Sequence, residues 1–197
     1  MLEKIIQLDT ELLIYLNGMG TETWDGFWML VTNKFSSIPV YLLVLFFLYK
    51  YVGLKKTLYT LLFIGIIIAV SDQTANLFKY GFERLRPCHN ENLKDIIRVV
   101  KPGCGGQYSF FSAHASTSMG IAVFCILLLR KHIKPLASFL MIWALAVGYS
   151  RIYIGVHFPV DVLFGFSFGA VIAILLFQLI KIVFNKIDTK ESSANQS

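Results

Sequence analysis

Three short segments of this chain place basic, imidazole and carboxylate side chains where an apolar sequence has least reason to carry them. The first runs from Lys79 to Arg86 and Pro87. On a continuing helix, cations seven residues apart point the same way, ~10 Å apart along the axis. Pro87 then stops the helix. Two cations on one face suit a bound anion, although snorkelling to headgroups explains such a pair as well when it stands alone. The second segment is Phe110-Phe111-Ser112-Ala113-His114-Ala115-Ser116. Ser112 is a good N-cap, which leaves the amides of Ala113, His114 and Ala115 free in a first helical turn. A helix N-terminus attracts anions, and a histidine there can protonate a leaving oxygen. Taken singly, His114 is also an ordinary interfacial histidine. The third segment runs from Ser150 and Arg151 to His157, Pro159 and Asp161. Pro159 suits the first turn of a helix. His157 and Asp161 are four residues apart, so the carboxylate can hold one imidazole nitrogen and leave the other free to attack. The plainer account is a capping acid beside an incidental histidine, and Arg151 on the same loop weakens it.

The elements that must position these groups are membrane-spanning helices. Of 197 residues, 56% are hydrophobic and 15% charged, against about a quarter charged in a soluble domain. Five apolar runs approach the ~20 residues needed to cross a bilayer: 24–49, 57–78, 113–129, 136–149 and 159–183. The first is interrupted by Asn33, Lys34 and Pro39, and the fourth is short. The expected fold is an all-α, polytopic helical bundle of about five transmembrane helices. Leu2, Ile5, Ile6, Leu8, Leu12, Leu13 and Leu16 fall at helical spacing and predict an amphipathic N-terminal helix, either on the membrane surface or packed on the other spans. No signal peptide is apparent. The expected organisation is therefore an amphipathic segment 1–23, a transmembrane unit 24–187 and a polar tail 188–197.

The linkers set sidedness. Lys50, Lys55 and Lys56, then Arg130, Lys131 and Lys134, then Lys181, Lys186 and Lys190 share one side, which the positive-inside rule makes cytoplasmic. The opposite side holds the 80–112 loop, the 150–158 loop and all three polar segments. It is itself basic (Lys79, Arg84, Arg86, Lys94, Arg98, Lys101, Arg151), which conflicts with the rule unless a polyanion binds there. The formal net charge of +6 is spread between apolar runs rather than along one face, so nucleic acid is not an expected partner. If the 80–112 loop lies outside the cytoplasm, a Cys88–Cys104 disulfide is permitted. Two free thiols, or a metal pair with His89, are the alternatives, and no familiar zinc spacing supports the latter.

Lys79-x6-Arg86-Pro87, Ser112-Ala113-His114 and Ser150-Arg151-x5-His157-x3-Asp161 together resemble the three-part signature of the type 2 phosphatidic acid phosphatase family, which vanadium haloperoxidases share. The resemblance spans roughly residues 72–169. It departs where the family has Pro-Ser-Gly-His, here Phe111-Ser112-Ala113-His114, which predicts altered site shape or substrate preference with the chemistry retained. The resemblance implies a helical-bundle lipid phosphatase. His157 would be the nucleophile forming a phosphohistidine, oriented by Asp161. Lys79, Arg86, Arg151, Ser112 and the Ala113 amide would bind phosphate. His114 would protonate the leaving oxygen and then activate water. It implies no metal and no cofactor. Members often have six spans, and the amphipathic segment here stands where the first would be.

A haloperoxidase is disfavoured by five apolar spans. A transporter would carry its charges near the midplane, whereas these cluster at span ends on one side. A catalytically dead binding protein would be expected to have lost His114, His157 or Asp161. The expected substrate is undecaprenyl diphosphate or a phosphatidic-acid-type lipid, including phosphatidylglycerophosphate, with the phosphates of lipid A as the alternative. Lys94, Arg98 and Lys101 are candidates to contact a second phosphate. The expected location is a bacterial inner membrane with the site facing outward. Gly165-x3-Gly169 permits close helix packing, within the bundle or between protomers, and the oligomeric state is not legible.

Overall fold

Long runs of Leu, Ile, Phe and Val without alternation favour helices, because a helix satisfies its own backbone groups in an apolar medium. The computed structural model describes residues 2–194, and its helices among them are α1 (Leu2–Gly18), α2 (Glu22–Thr32), α3 (Ile38–Phe82), α4 (Ala113–Leu129), α5 (Lys134–Tyr153) and α6 (Pro159–Ala194). Among the described residues the fold is all-α, with an isolated bridge between Leu85 and Tyr108. Phe35–Phe82, Lys134–Tyr153 and Pro159–Lys190 are long and apolar enough to cross a bilayer, and Ala113–Leu129 is apolar but shorter. The chain is thus a multi-pass membrane protein.

The run expected to form one span over 24–49 is divided. The Asn33 side chain accepts a bond from the Phe35 amide, 2.9 Å, a local contact that competes with the helical ladder. A 3-10 turn at Phe35–Ser37 follows, and Pro39 sits in the first turn of α3, where its missing donor costs nothing. Within α3, Gly53 takes φ 80°, a conformation that glycine adopts readily. Tyr41, Leu45 and Leu48 line the same cavity as Leu61, Ile64 and Ile68, so the chain doubles back at Gly53 into two antiparallel limbs.

α4 forms the buried centre of the bundle. Met119, Ala122, Phe124 and Cys125 pack with Leu48 and Ile67 of α3, Leu140 and Ala144 of α5, and Ala173 of α6. The α4–α6 contact is close because it lacks side chains. A Cβ on Gly165 or Gly169 would strike the Ser112 or Ser116 carbonyl oxygen. The small-residue pair therefore works inside the bundle, and it draws the first turn of α4 onto the head of α6.

α1 packs in a way that soluble-protein patterning does not anticipate. Its buried stripe is Asp9, Leu13 and Asn17, while Ile5, Ile6, Leu8 and Leu12 are exposed. Asn17 donates to the carbonyls of Tyr153 (2.8 Å) and Arg98 (3.0 Å) and accepts from the Arg98 amide (2.7 Å). Asn17 is thus satisfied by the backbone of Tyr153 and Arg98, and the apolar face is left for lipid. At the other end of the bundle, Lys56 pairs with Asp188, 2.6 Å. The segment read as a tail is helical through Ala194, and its residues 195–197 lie outside the described residues.

Candidate active site

Lys79 and Arg86 do not share a continuous helix. α3 ends at Phe82, and Glu83 adopts a left-handed φ of 49° with its amide donating to the Lys79 carbonyl, 3.0 Å. Pro87 then disfavours helix at Arg86, which is extended. Arg86 reaches the site because the loop folds back. Its amide donates to the Gln107 carbonyl (3.0 Å), and its guanidinium to the carbonyls of Cys104 (2.6 Å) and Tyr108 (3.2 Å). Cys88 and Cys104 are joined as a disulfide with Cα atoms 5.9 Å apart, closing the loop that carries those acceptors.

Ser112 caps α4, its hydroxyl accepting from the Ala115 amide at 3.4 Å while its own amide donates to the Asp161 carbonyl at 3.1 Å. The second of these bonds ties the head of α4 to the head of α6. Arg151, at the end of α5, is 4% exposed; one terminal nitrogen donates to the Thr32 hydroxyl (2.5 Å), and its Nε has no partner among the described residues. His157 lies in the short loop between α5 and α6, and Asp161 in the first turn of α6. The His157 Nδ1 and Asp161 Oδ2 are 3.4 Å apart without hydrogen-bond geometry, and both side chains are buried.

The polar segments converge. Burial pushes the His157 imidazole well below its ordinary range, and the positive charges of Arg151, Arg86 and Lys79 push it further. Burial also lowers Arg86, with the Asp161 carboxylate opposing. His114 lies within electrostatic reach of Arg151 and His157 and lines a cavity of about 420 Å³. Among the described residues, none of Lys79, Arg86 and Arg151 makes a salt bridge. Three cations without carboxylate partners around a buried histidine form a site that an anion would complete. Of the loop cations considered for a second phosphate, Lys94 pairs with Glu91 (2.5 Å) and Arg98 with Asp25 (2.9 Å). Lys101 lies within electrostatic reach of Arg151, Arg86 and Lys34.

Sequence reasoning passed over Arg84 and Asp9 as site residues. Arg84 donates to Asp161 Oδ1 (3.0 Å) and to Asp9 Oδ2 (2.7 Å), and its guanidinium lies 3.7 Å over the Phe158 ring. Asp9, from α1, also accepts from the Val160 amide (2.9 Å). Burial raises its carboxyl pKa, opposed by Arg84 and by that amide. Asp161 Oδ2 accepts from the Phe158 amide, 2.9 Å. A chain of charges thus runs from α1 through Arg84 to the carboxylate beside His157. Its sequence signal is slight, because Asp9 is one of three acids on α1, with Glu3 and Glu11.

The sequence profile of the PAP2 superfamily matches residues 56–184. A lipid A 4'-phosphatase of Bacteroides thetaiotaomicron is 36% identical over 171 residues, covering 86% of this chain and 75% of that protein. An undecaprenyl-diphosphatase of Sulfolobus acidocaldarius is 30% identical over 177 residues, covering 90% of this chain and 81% of that one. In fold, the chain is similar to the crystal structure of a transmembrane PAP2-type phosphatidylglycerolphosphate phosphatase from Bacillus subtilis, with TM-score 0.68, 23% identity and coverage of 93% and 88% of the two chains.

Proposed function

We propose, for a chain that belongs to the PAP2 superfamily and is a membrane lipid phosphatase, that it hydrolyses a phosphate ester of a lipid A-type glycolipid through a phosphohistidine at His157. The observation that carries the site is the set of Lys79, Arg86 and Arg151, which lack carboxylate partners among the described residues and lie within reach of His157.

The neutral imidazole attacks phosphorus, and its growing positive charge is stabilised by Asp161. Lys79, Arg86 and Arg151, with Ser112 and the free Ala113 amide, hold the phosphoryl oxygens as charge builds on them. The bond from phosphorus to the lipid oxygen breaks, and His114 gives that oxygen its proton. His114 then takes a proton from water, which attacks the phosphohistidine and releases inorganic phosphate and neutral His157.

The lipid A reading is supported by the relative from Bacteroides thetaiotaomicron. Polyprenyl diphosphate is the second reading, supported by the relative from Sulfolobus acidocaldarius and by Lys101 beside the motif cations. The reversal at Gly53 supports five membrane passes, and the positive-inside rule supports a site facing the periplasm of a bacterial inner membrane. Phosphate release by purified protein from lipid A, undecaprenyl diphosphate, phosphatidic acid and phosphatidylglycerophosphate tests the substrate. The expected order puts lipid A first, and a preference for any other lipid in the panel overturns it.

A further inference from the structure

The cavity on the open side of His114 is larger than a phosphate needs, and its wall is chemically divided. Lys34 from the α2–α3 turn, Asp72 and Gln73 from α3, and Thr117 from α4 line it together with His114. Asp72 and Gln73 are exposed, and among the described residues Asp72 makes no hydrogen bond or ion pair. A carboxylate within an apolar span is costly and marks a functional position. Tyr41 and Ile68 carry the cavity into an apolar one of about 190 Å³, lined by Val44, Leu48, Ile64 and Ile121 between the two limbs of α3 and α4. A ligand passing from His114 along this path meets polar groups first and hydrocarbon second.

Resting on the lipid phosphatase reading above, we infer that this polar chamber binds the leaving alcohol, and that Asp72 and Gln73 select one bearing hydrogen-bond donors, such as an amino sugar. An ionised carboxylate only accepts hydrogen bonds. A diacylglycerol leaving group has no donor beyond the oxygen being released, and a polyprenyl chain has none. The hydroxyls and amide N–H groups of an acylated amino sugar answer Asp72 directly. Gln73 and Thr117 can both donate and accept, and Lys34 donates to ring or amide oxygens. The acyl chains then follow the apolar continuation between the α3 limbs.

The test compares kcat/KM for a diacylated glucosamine phosphate with that for phosphatidic acid of the same acyl length, in wild type and in the Asp72→Asn, Asp72→Leu and Gln73→Ala variants. The wild type is expected to prefer the glycolipid. The ratio of the two kcat/KM values should fall about tenfold or more in Asp72→Leu, the effect of losing a hydrogen bond to a charged group. Asp72→Asn and Gln73→Ala, which change less of the wall, should lower it in the same direction. Reading the ratio cancels any effect that Asp72 exerts on both substrates through nearby Lys79. An unchanged ratio in all three variants, or a wild type indifferent to the leaving group, overturns the inference while the phosphatase reading stands. A wild type that releases phosphate from neither lipid sinks both.

Discussion

His157 is 2% exposed and lies among three cations, so its imidazole is held neutral in the free protein. Neutrality is what a nucleophile requires, and it links stability to pH with a definite sign. An unfolded histidine binds a proton near pH 6.5, whereas the folded one binds it only at much lower pH. The stabilising contribution is therefore complete above about pH 6.5 and is lost as pH falls from there toward the folded value. Melting temperature in detergent should drop between pH 7 and pH 5, corresponding to about 1 kcal/mol per pH unit. His157→Gln should flatten that slope, and an unchanged slope would assign the acid sensitivity elsewhere. The same variant, and His157→Ala, should lose at least about a thousandfold in phosphate release from every lipid tested. Substantial residual turnover would remove His157 as nucleophile.

The elements explain why some of the site was legible in the sequence and some was not. Ser112 as cap and Pro159 at the head of α6 are local signals, and each lies where its local physics puts it, whereas the four-residue spacing brings His157 and Asp161 to 3.4 Å without a hydrogen bond. The break after Phe82 was not legible, because a left-handed glutamate cap follows from how the loop folds back rather than from composition. Arg84 was hidden for a different reason: its partners Asp161 and Asp9 lie 77 and 75 residues away in the chain. α1 was readable as a helix, but its inward face was not. Where lipid is the surrounding medium the apolar side can face outward, so periodicity alone does not say which stripe packs. On the proposed mechanism, the Asp9–Arg84–Asp161 chain gives α1 a consequence for catalysis. Arg84→Lys and Asp9→Asn should lower kcat about tenfold with little change in KM, because Lys79, Arg86 and Arg151, the proposed phosphate ligands, remain. Arg84→Ala should also cost about 2 kcal/mol of stability, less than a fully buried pair because Arg84 is a quarter exposed. A rise in KM with kcat unchanged would assign Arg84 to phosphate binding instead of to positioning Asp161.

At the scale of the whole molecule, one end of the bundle holds the heads of α4 and α6, the ends of α3 and α5, and the disulfide loop, so every motif residue lies at that end. The opposite end carries Lys56 with Asp188 and the basic α4–α5 turn at Arg130 and Lys131. Both ends are basic, and counting charges alone leaves the orientation close to balanced. The two sets differ in what surrounds them. At the motif end, Arg84 and Arg98 are paired with carboxylates, and Lys79, Arg86 and Arg151 are drawn in around His157. At the other end, Lys50, Arg130 and Lys131 are exposed on the surface, where the positive-inside rule acts. Charge committed to a substrate site should weigh less in topology than charge left on the surface, which favours the proposed orientation with the motif end outside the cytoplasm. A disulfide between Cys88 and Cys104 is at home in the same compartment. Alkaline phosphatase fused after Lys101 should therefore be active and the same fusion after Lys131 inactive, with green fluorescent protein fusions giving the reverse pattern. The opposite result would turn the molecule over. The site would then work on lipid phosphates presented from the cytoplasm, and the disulfide would need a reason to persist in a reducing compartment.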